Sequence, residues 1–205
     1  VNYWGHAREV GIDPPEKPYF FVKLRNALIA HRDPVVIPRG AIKPDHEVEL
    51  AVIIGREGKY ISKGNAESYV FGYTIVNDVS LRDKQIPIAR LGIRWLHAKS
   101  FDTGAPIGPW IVTRDEIGDP HNLKLELKVN GEVRQEGSTS DMIFKIPELL
   151  EVASDGVTLR PGDIIATGTP QGVGAATGRF LRSGDVMSAT IERVGTLINS
   201  VVFEL

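Results

Sequence analysis

The sequence contains no cysteine. This absence excludes disulfide bonds, thiolate metal sites and cysteine nucleophiles, and it fits a reducing compartment. Long apolar runs are missing as well: none approaches the roughly 20 residues that a membrane helix needs, and no basic segment followed by an apolar one opens the chain. We therefore expect no membrane partner and a cytoplasmic location.

A strong excess of charge is also absent. The 205 residues carry 24 Lys+Arg against 26 Asp+Glu, for a net charge of −2, and no Lys/Arg run stands out. Nucleic-acid binding needs a basic patch, so we expect no nucleic-acid partner. The composition is that of an ordinary globular protein, without repeats or a shift that marks a boundary. We therefore predict a single domain over residues 1–205.

Short runs rich in Val, Ile, Leu and Phe lie between 13 prolines and 21 glycines that are spread along the chain. This pattern predicts a mainly β protein with short helices, an α+β fold. The step Asn130-Gly131 joins two alternating runs and predicts a tight hairpin, because both residue types tolerate positive φ. The predicted strands are Tyr19–Leu24, Val35–Ile37, Glu47–Ile54, Phe71–Asp78, Ile107–Val112, Leu123–Val129, Glu132–Glu136, Ile164–Thr167, Val186–Ile191 and Gly195–Phe203. The predicted helices are Gly5–Val10, Lys63–Ser68 and Ile146–Ala153.

Three carboxylates in apolar surroundings suggest a metal site. Glu47 and Glu49 occur in the run DHEVELAVIIG, and Asp78 ends the run GYTIVND. Two residues apart on a strand, the glutamates share one face while Val48 and Leu50 point to the other. Buried charges need a cation or hydrogen-bond donors, and an all-oxygen set suits Mg²⁺, Mn²⁺ or Ca²⁺ better than zinc. The alternative is a solvated strand face and a separate turn aspartate.

Several further segments have a distinctive order and spacing. They are NDVSLRDKQ at 77–85, Trp95, KSFD at 99–102, PIGP at 106–109, LRPGDIIATGTPQGVG at 159–174, and the Gly184-Asp185-Val186 and Gly195-Thr196-Leu197 steps. In these segments the chain resembles the fumarylacetoacetate hydrolase family over nearly its whole length. The resemblance implies a mixed β-sandwich roll of the family's C-terminal domain type, a homodimer, and divalent-cation chemistry on small 2-oxo acids. The segment upstream of the first family motif is expected to be absent.

The resemblance also implies roles for the polar residues of these segments. Glu47, Glu49 and Asp78 match the family's metal ligands, with Mg²⁺ expected and Mn²⁺ or Ca²⁺ as alternatives; a 2-oxo acid would chelate the ion through its carboxylate and carbonyl oxygens. Lys99 matches a lysine that stabilises the developing enolate. As a lone residue, Lys99 could equally be a surface lysine.

Two more polar residues match positions that hold the substrate. Arg82 and Gln85 correspond to family residues that bind carboxylate or oxo groups, and a guanidinium suits a carboxylate through paired hydrogen bonds. Arg82 could instead pair with Asp83 at the surface. Many members have Lys-Pro where this chain has Lys23-Leu24-Arg25-Asn26, and Arg25 is a candidate for altered substrate selection.

The glycine-rich segment 166–174 lacks the Gly-Lys-Ser/Thr of a P-loop and the helix of a dinucleotide fingerprint, so nucleotide binding is not expected. The resemblance assigns Thr169 to the substrate carboxylate and Gly168 to close backbone approach; the alternative is a plain tight turn. At the N-terminus, His6 and Glu9 match the family's lid motif. Three residues apart on a helix, they can hydrogen-bond and form a base. The alternative is a surface pair near a frayed end.

The resemblance therefore implies a metal-dependent enzyme for small 2-oxo or 2-hydroxy-dienoic di-acids. The first expectation is an isomerase or decarboxylase of the 2-hydroxyhepta-2,4-diene-1,7-dioate type in the degradation of aromatic compounds. An acylpyruvate C–C hydrolase or an oxaloacetate decarboxylase is the second. From another class, a β-roll that binds an acid ligand without turning it over stays open.

Overall fold

Strands dominate the computed structural model, which describes residues 1–85 and 93–205. In these residues the strands are β1 Leu28–Ile29, β2 Val35–Ile37, β3 Pro44–Asp45, β4 Val48–Ile54, β5 Val70–Asn77, β6 Ser80–Leu81, β7 Ala105–Thr113, β8 Lys124–Val129, β9 Glu132–Ser138, β10 Ile164–Ala166, β11 Val186–Ile191 and β12 Gly195–Phe203. The α-helices are α1 Trp4–Val10, α2 Ile93–Lys99, α3 Arg114–Ile117, α4 Ile146–Ala153 and α5 Gly174–Thr177. None of the described helices is long and apolar enough to cross a membrane.

The long strands form two five-stranded sheets. One has the order β1-β7-β5-β4-β10, the other β2-β12-β11-β8-β9, and β3 pairs with β6 separately. The β1–β7 and β2–β12 pairs are parallel, whereas the remaining pairs are antiparallel. The expectation of a mainly β fold with short helices and mixed sheets is thus confirmed.

The hydrophobic core lies where the two sheets contact each other, with β4 and β5 facing β8, β11 and β12. Alternate residues supply it, because successive side chains of a strand point to opposite faces. The β4 contribution consists of Val48, Leu50, Val52 and Ile54. The opposite face of β4, which carries the two glutamates, is therefore directed away from this core, as the sequence predicts.

Two local predictions are confirmed in detail. Asn130 and Gly131 have φ values of 53° and 81°, so both turn residues between β8 and β9 adopt the left-handed conformation of a tight hairpin. The helix α4 has the bounds predicted from its apolar spacing.

Other predictions were wrong or incomplete. Residues 19–24 form no strand: the backbone of Val22 and Leu24 bonds the Ser100 hydroxyl instead of a neighbouring strand. Their side chains lack a buried face, since Tyr19, Phe20, Phe21, Val22 and Leu24 are all exposed. The predicted helix at Lys63–Ser68 is the 3₁₀ helix Lys63–Tyr69. The two-residue strands and the helices α2, α3 and α5 were missed. Elements of two to four residues are too short to show a periodicity.

Candidate metal and substrate site

The three carboxylates converge because β4 and β5 pair in antiparallel register. Val48 lies opposite Asn77, which places Glu47 opposite Asp78, and the Asp78 N–H donates to the Glu47 carbonyl at 2.8 Å. Opposite residues of an antiparallel pair share a face, and Glu49 lies two residues further along the same face. Glu47, Glu49 and Asp78 each offer an oxygen within 4.8 Å of the others, and all three are buried.

Two lysines compensate this negative charge. The Lys99 ammonium, at the end of α2, donates to Glu47 Oε2 at 2.8 Å, Asp78 Oδ2 at 2.7 Å and Ser80 Oγ at 2.6 Å. Lys23 Nζ donates to the other oxygen of Asp78, Oδ1, at 2.6 Å and to the Lys99 carbonyl. Both oxygens of Asp78 are therefore paired with a cation.

The neighbouring charges give the two glutamates very different pKa values. Burial raises the pKa of Glu49, and the charges of Asp78 and Glu47 raise it further, to about 8. Burial would also raise the pKa of Glu47, but Arg82 and Lys99 outweigh it and hold this pKa well below its usual range. Without a metal ion, Glu47 is therefore ionised at neutral pH, whereas Glu49 retains a proton for most of the time.

Arg82 and Gln85 lie beside the triad, at the end of β6. Arg82 donates through Nη2 to Glu47, through Nε to Asp45 Oδ2 at 2.7 Å, and through Nη1 to Gln85 Oε1 at 3.0 Å. The fully buried Asp45 also accepts from the backbone N–H groups of Gly174 and Ala175 at 2.6 and 2.8 Å. Asp45 thus ties Arg82 to the glycine-rich segment.

The glycine-rich loop covers the triad on another side. The Gly168 N–H donates to Glu49 Oε2 at 2.7 Å. Gly168 has a φ of 95°, and a Cβ at this position would lie 2.8 Å from Asn2 Cβ, so the close approach requires glycine. The Thr169 hydroxyl is buried and donates to the Val48 carbonyl at 2.9 Å. This loop therefore contacts the triad strand directly.

The predicted lid pair is formed and faces the site. In α1, His6 Nδ1 and Glu9 Oε1 are 2.7 Å apart, and Glu9 Oε2 accepts from the Gly172 N–H at 2.7 Å. Burial raises the pKa of Glu47, and a charge on His6 is among the influences that lower it, after those of Arg82 and Lys99. With its Nδ1 held by Glu9, the imidazole keeps Nε2 for another partner.

The donor set fits a hard divalent cation. Three buried carboxylates with converging oxygens are the ligands that Mg²⁺, Mn²⁺ and Ca²⁺ prefer, and no sulfur or imidazole ligand belongs to the cluster in the described residues. A divalent ion would also relieve the repulsion that raises the pKa of Glu49. All ten predicted site residues therefore come together around a cluster that can hold such an ion.

Sequence reasoning missed three residues of this network: Lys23, Asp45 and Gln135. For Asp45 a signal existed, because residues 45, 47 and 49 continue one acidic alternation through the run DHEVE. Lys23 falls in the segment interpreted as a strand, and its partner Asp78 is 55 residues away. Gln135 donates to Thr169 Oγ1 at 2.8 Å. It is a polar residue in a predicted hairpin, so nothing in the sequence distinguishes it.

Comparisons with known proteins identify the family of the chain. The family model described as fumarylacetoacetate (FAA) hydrolase C-terminal matches residues 1–202. The chain is 46% identical over 204 residues to the Bos taurus protein "Oxaloacetate tautomerase FAHD2A, mitochondrial". This match covers 98% of the chain but only 64% of that relative, which is thus considerably longer.

Two solved structures share the whole fold. The 5-carboxymethyl-2-hydroxymuconate delta-isomerase of Mycobacterium smegmatis is 42% identical with a TM-score of 0.87, and the match covers 100% of this chain and 77% of that one. The fumarylpyruvate hydrolase of Pseudomonas aeruginosa, solved in complex with Mn²⁺ and pyruvate, is 34% identical with a TM-score of 0.89, covering 99% and 87%. Both isomerase and hydrolase chemistry therefore occur on this fold.

Proposed function

This chain belongs to the fumarylacetoacetate hydrolase family, and we propose that it is a divalent-metal-dependent isomerase of small 2-oxo or 2-hydroxy-dienoic di-acids. The observation that carries the proposal is the buried triad Glu47, Glu49 and Asp78 with the His6–Glu9 pair beside it. Keto–enol exchange and double-bond migration both move a proton at carbon next to a polarised carbonyl. A metal cluster with an adjacent base supplies the groups that such a reaction needs.

The triad residues would hold the ion, with Mg²⁺ or Mn²⁺ as the expected metals and Ca²⁺ as an alternative. When bound there, the ion supplies a Lewis acid that stabilises the enolate of a 2-oxo acid. Lys99 adds a second positive charge on the same side, because its ammonium already lies within 3 Å of Glu47 and Asp78.

His6 is the base in this proposal. Its Nδ1 is bonded to Glu9, whose other oxygen accepts from the Gly172 N–H. These bonds fix the orientation of the imidazole and leave Nε2 for the substrate. Nε2 takes a proton from the carbon next to the 2-oxo group, and the same proton returns to carbon or to oxygen in the product. No water is consumed, which suits an isomerisation.

Arg82, Gln85 and the loop residues Gly168 and Thr169 bind the acid groups of the substrate. Arg82 is preorganised by Asp45 and Gln85. The Thr169 hydroxyl donates to the Val48 carbonyl, so it can donate to a substrate carboxylate only after rotating away from Val48. A carboxylate at this loop would therefore be bound mainly by backbone N–H groups.

Oxaloacetate is the first substrate to test, since a 46% identical relative carries the name of an oxaloacetate tautomerase. We expect Mg²⁺-loaded protein to accelerate the decay of enol-oxaloacetate absorbance without forming pyruvate. The di-acid 2-hydroxyhepta-2,4-diene-1,7-dioate tests the isomerase of aromatic degradation in the same way. His6→Asn should lose most of the turnover while oxalate still binds the metal-loaded protein.

Hydrolysis of a C–C bond is the second candidate, because the His6–Glu9 pair can also activate water and a fumarylpyruvate hydrolase shares the fold. Release of pyruvate from fumarylpyruvate or acetylpyruvate, without tautomerisation, would replace the first proposal by this one. Pyruvate formed from oxaloacetate would identify a decarboxylase. Oxalate binding without any turnover would identify a ligand-binding protein. Light scattering tests the expected homodimer.

A further inference from the structure

Gln135 is a buried amide on a core-facing position of β9. The register shifts between Leu127 and Lys128, where β9 carries one extra residue, so that Gln135 lies opposite Leu127. Bulges of this kind re-aim side chains, and here the amide shares the inward face with Leu127 although β9 is an edge strand. Gln135 is 1% exposed. A buried amide is costly unless all its groups are bonded.

All four hydrogen-bonding positions of this amide are used. Its Oε1 accepts from the Val48 N–H at 3.1 Å and from His46 Nδ1 at 3.2 Å. Its Nε2 donates to Thr169 Oγ1 at 2.8 Å and to the Pro170 carbonyl at 2.9 Å. A backbone N–H can only donate and a carbonyl can only accept, so these partners fix which way the amide points.

The rest of β9 lies directly against the same loop. A Cβ on Gly172 would be 2.1 Å from the Arg134 carbonyl, and a Cβ on Gly137 would be 2.5 Å from Pro170 Cβ. Gln171 Nε2 also donates to the Glu136 carbonyl. The loop therefore rests on β9, and Gln135 is the side chain that extends through this contact to β4.

We propose that Gln135 is a positioning residue, which sets the distance between the Gly168-Thr169-Pro170 loop and the strand of metal ligands. Val48, which donates its N–H to Gln135, lies between Glu47 and Glu49, and the Thr169 hydroxyl bonds both Gln135 and Val48. Gln135 itself contacts no metal ligand side chain, so it acts on the substrate through Thr169 and Pro170. This inference rests on the proposed function, in which the loop binds the acid group.

Isothermal titration of oxalate into Mg²⁺-loaded protein tests the role. We expect Gln135→Met to raise the oxalate Kd at least tenfold while the Mg²⁺ Kd changes less than threefold. In a Thr169→Val background the same substitution should raise the oxalate Kd by a smaller factor, because the bond to Thr169 is already lost and only the bond to the Pro170 carbonyl remains to transmit the effect. Should Gln135→Met not fold, Gln135→Asn, which keeps the amide but is one methylene shorter, gives the same comparison.

Asn199 supplies the matched control. It is another buried amide of the same sheet, and its Nδ2 donates to the carbonyls of Ala30 and Asp33 at 2.9 and 2.8 Å, with no hydrogen bond to the glycine-rich loop among the described residues. Asn199→Leu should lower the Tm without raising the oxalate Kd. Hydrogen exchange over 168–174 should accelerate in Gln135→Met only.

Two results would count against the proposal in different ways. An oxalate Kd for Gln135→Met equal to that of Asn199→Leu, or a full effect in the Thr169→Val background, would overturn the positioning role alone. A wild-type protein that binds no oxalate with Mg²⁺ present would reject the proposed function, and the positioning role with it.

Discussion

The two ends of the β4–β5 pair are equally buried and chemically opposite. At one end Ile54 lies opposite Val70 beneath apolar neighbours, whereas at the other end Glu47 lies beside Asp78 with Glu49 next to it. The backbone pairing is the same throughout. The two ends therefore show what burial does to an apolar and to a charged side chain on one scaffold.

Burial has opposite energetic signs at these ends. Removing apolar surface from water stabilises a fold by about 25 cal/mol per Å², while taking an ion out of water costs several kcal/mol. At the charged end Lys23, Lys99 and Arg82 offset this cost. If the charged end binds the metal as proposed, the apolar end contributes stability and the charged end contributes binding, so substitutions should separate the two properties.

The largest expected effect is at the apolar end. Ile54→Ala removes a side chain that is 1% exposed in the core between the sheets, and should lower the free energy of unfolding by about 2–5 kcal/mol. The Mg²⁺ Kd and the oxalate Kd of the folded variant should stay within about twofold of wild type, because nothing at the triad changes. Urea unfolding and calorimetric titration measure the two quantities. A large loss of metal affinity would mean that the two ends are coupled through β4.

The converse substitution is Glu49→Gln. Because the pKa of Glu49 is about 8, the metal-free protein already holds a largely neutral side chain there, and glutamine can still accept from the Gly168 N–H. The free energy of unfolding should therefore change by less than about 1 kcal/mol. Loss of one charged ligand should weaken Mg²⁺ binding about 100-fold. Unchanged affinity in calorimetry would exclude Glu49 as a ligand.

Lys23→Met tests the contribution of a compensating cation at the charged end. Lys23 is a cation bonded to Asp78 Oδ1, so it competes with a divalent ion for that carboxylate. Its removal should destabilise the metal-free protein and tighten Mg²⁺ binding about tenfold. The Tm increase on adding Mg²⁺ should accordingly be larger than in wild type or in Lys17→Met, an exposed-lysine control. Weaker Mg²⁺ binding would instead show that Lys23 orients Asp78 for the metal.

The sequence predicted both ends of this pair for a clear reason. Strict alternation assigns Glu47 and Glu49 to one face and Leu50 to the core, and each pattern is complete within a few residues. The long strands, the hairpin at Asn130 and α4 were predictable on the same local grounds. The family motifs then predicted Asp78 as the third ligand.

The remaining parts of the site depend on contacts between distant residues. Lys23 reaches Asp78 from an irregular segment that has neither periodicity nor a buried face. Gln135 reaches Val48 across 87 residues and only because a bulge turns it inward. No local pattern encodes either contact, so both become visible only when the sheets are assembled.

The smallest expected effect is a pH response at the apolar end. His121 accepts from the Ile146 N–H at 3.2 Å, close to Tyr73, and burial lowers its pKa although Asp119 opposes the shift. Below the unfolded value of about 6.5 the unfolded chain binds the proton more readily, so stability falls as the pH decreases. In His121→Gln the amide oxygen can still accept from Ile146, but this proton uptake is gone. The stability advantage of wild type over the variant should therefore shrink between about pH 7 and pH 5 in urea unfolding. The carboxylates titrate in both proteins, so their contributions cancel in the difference between the two unfolding free energies. If this difference does not change with pH, His121 does not contribute to the pH dependence of stability.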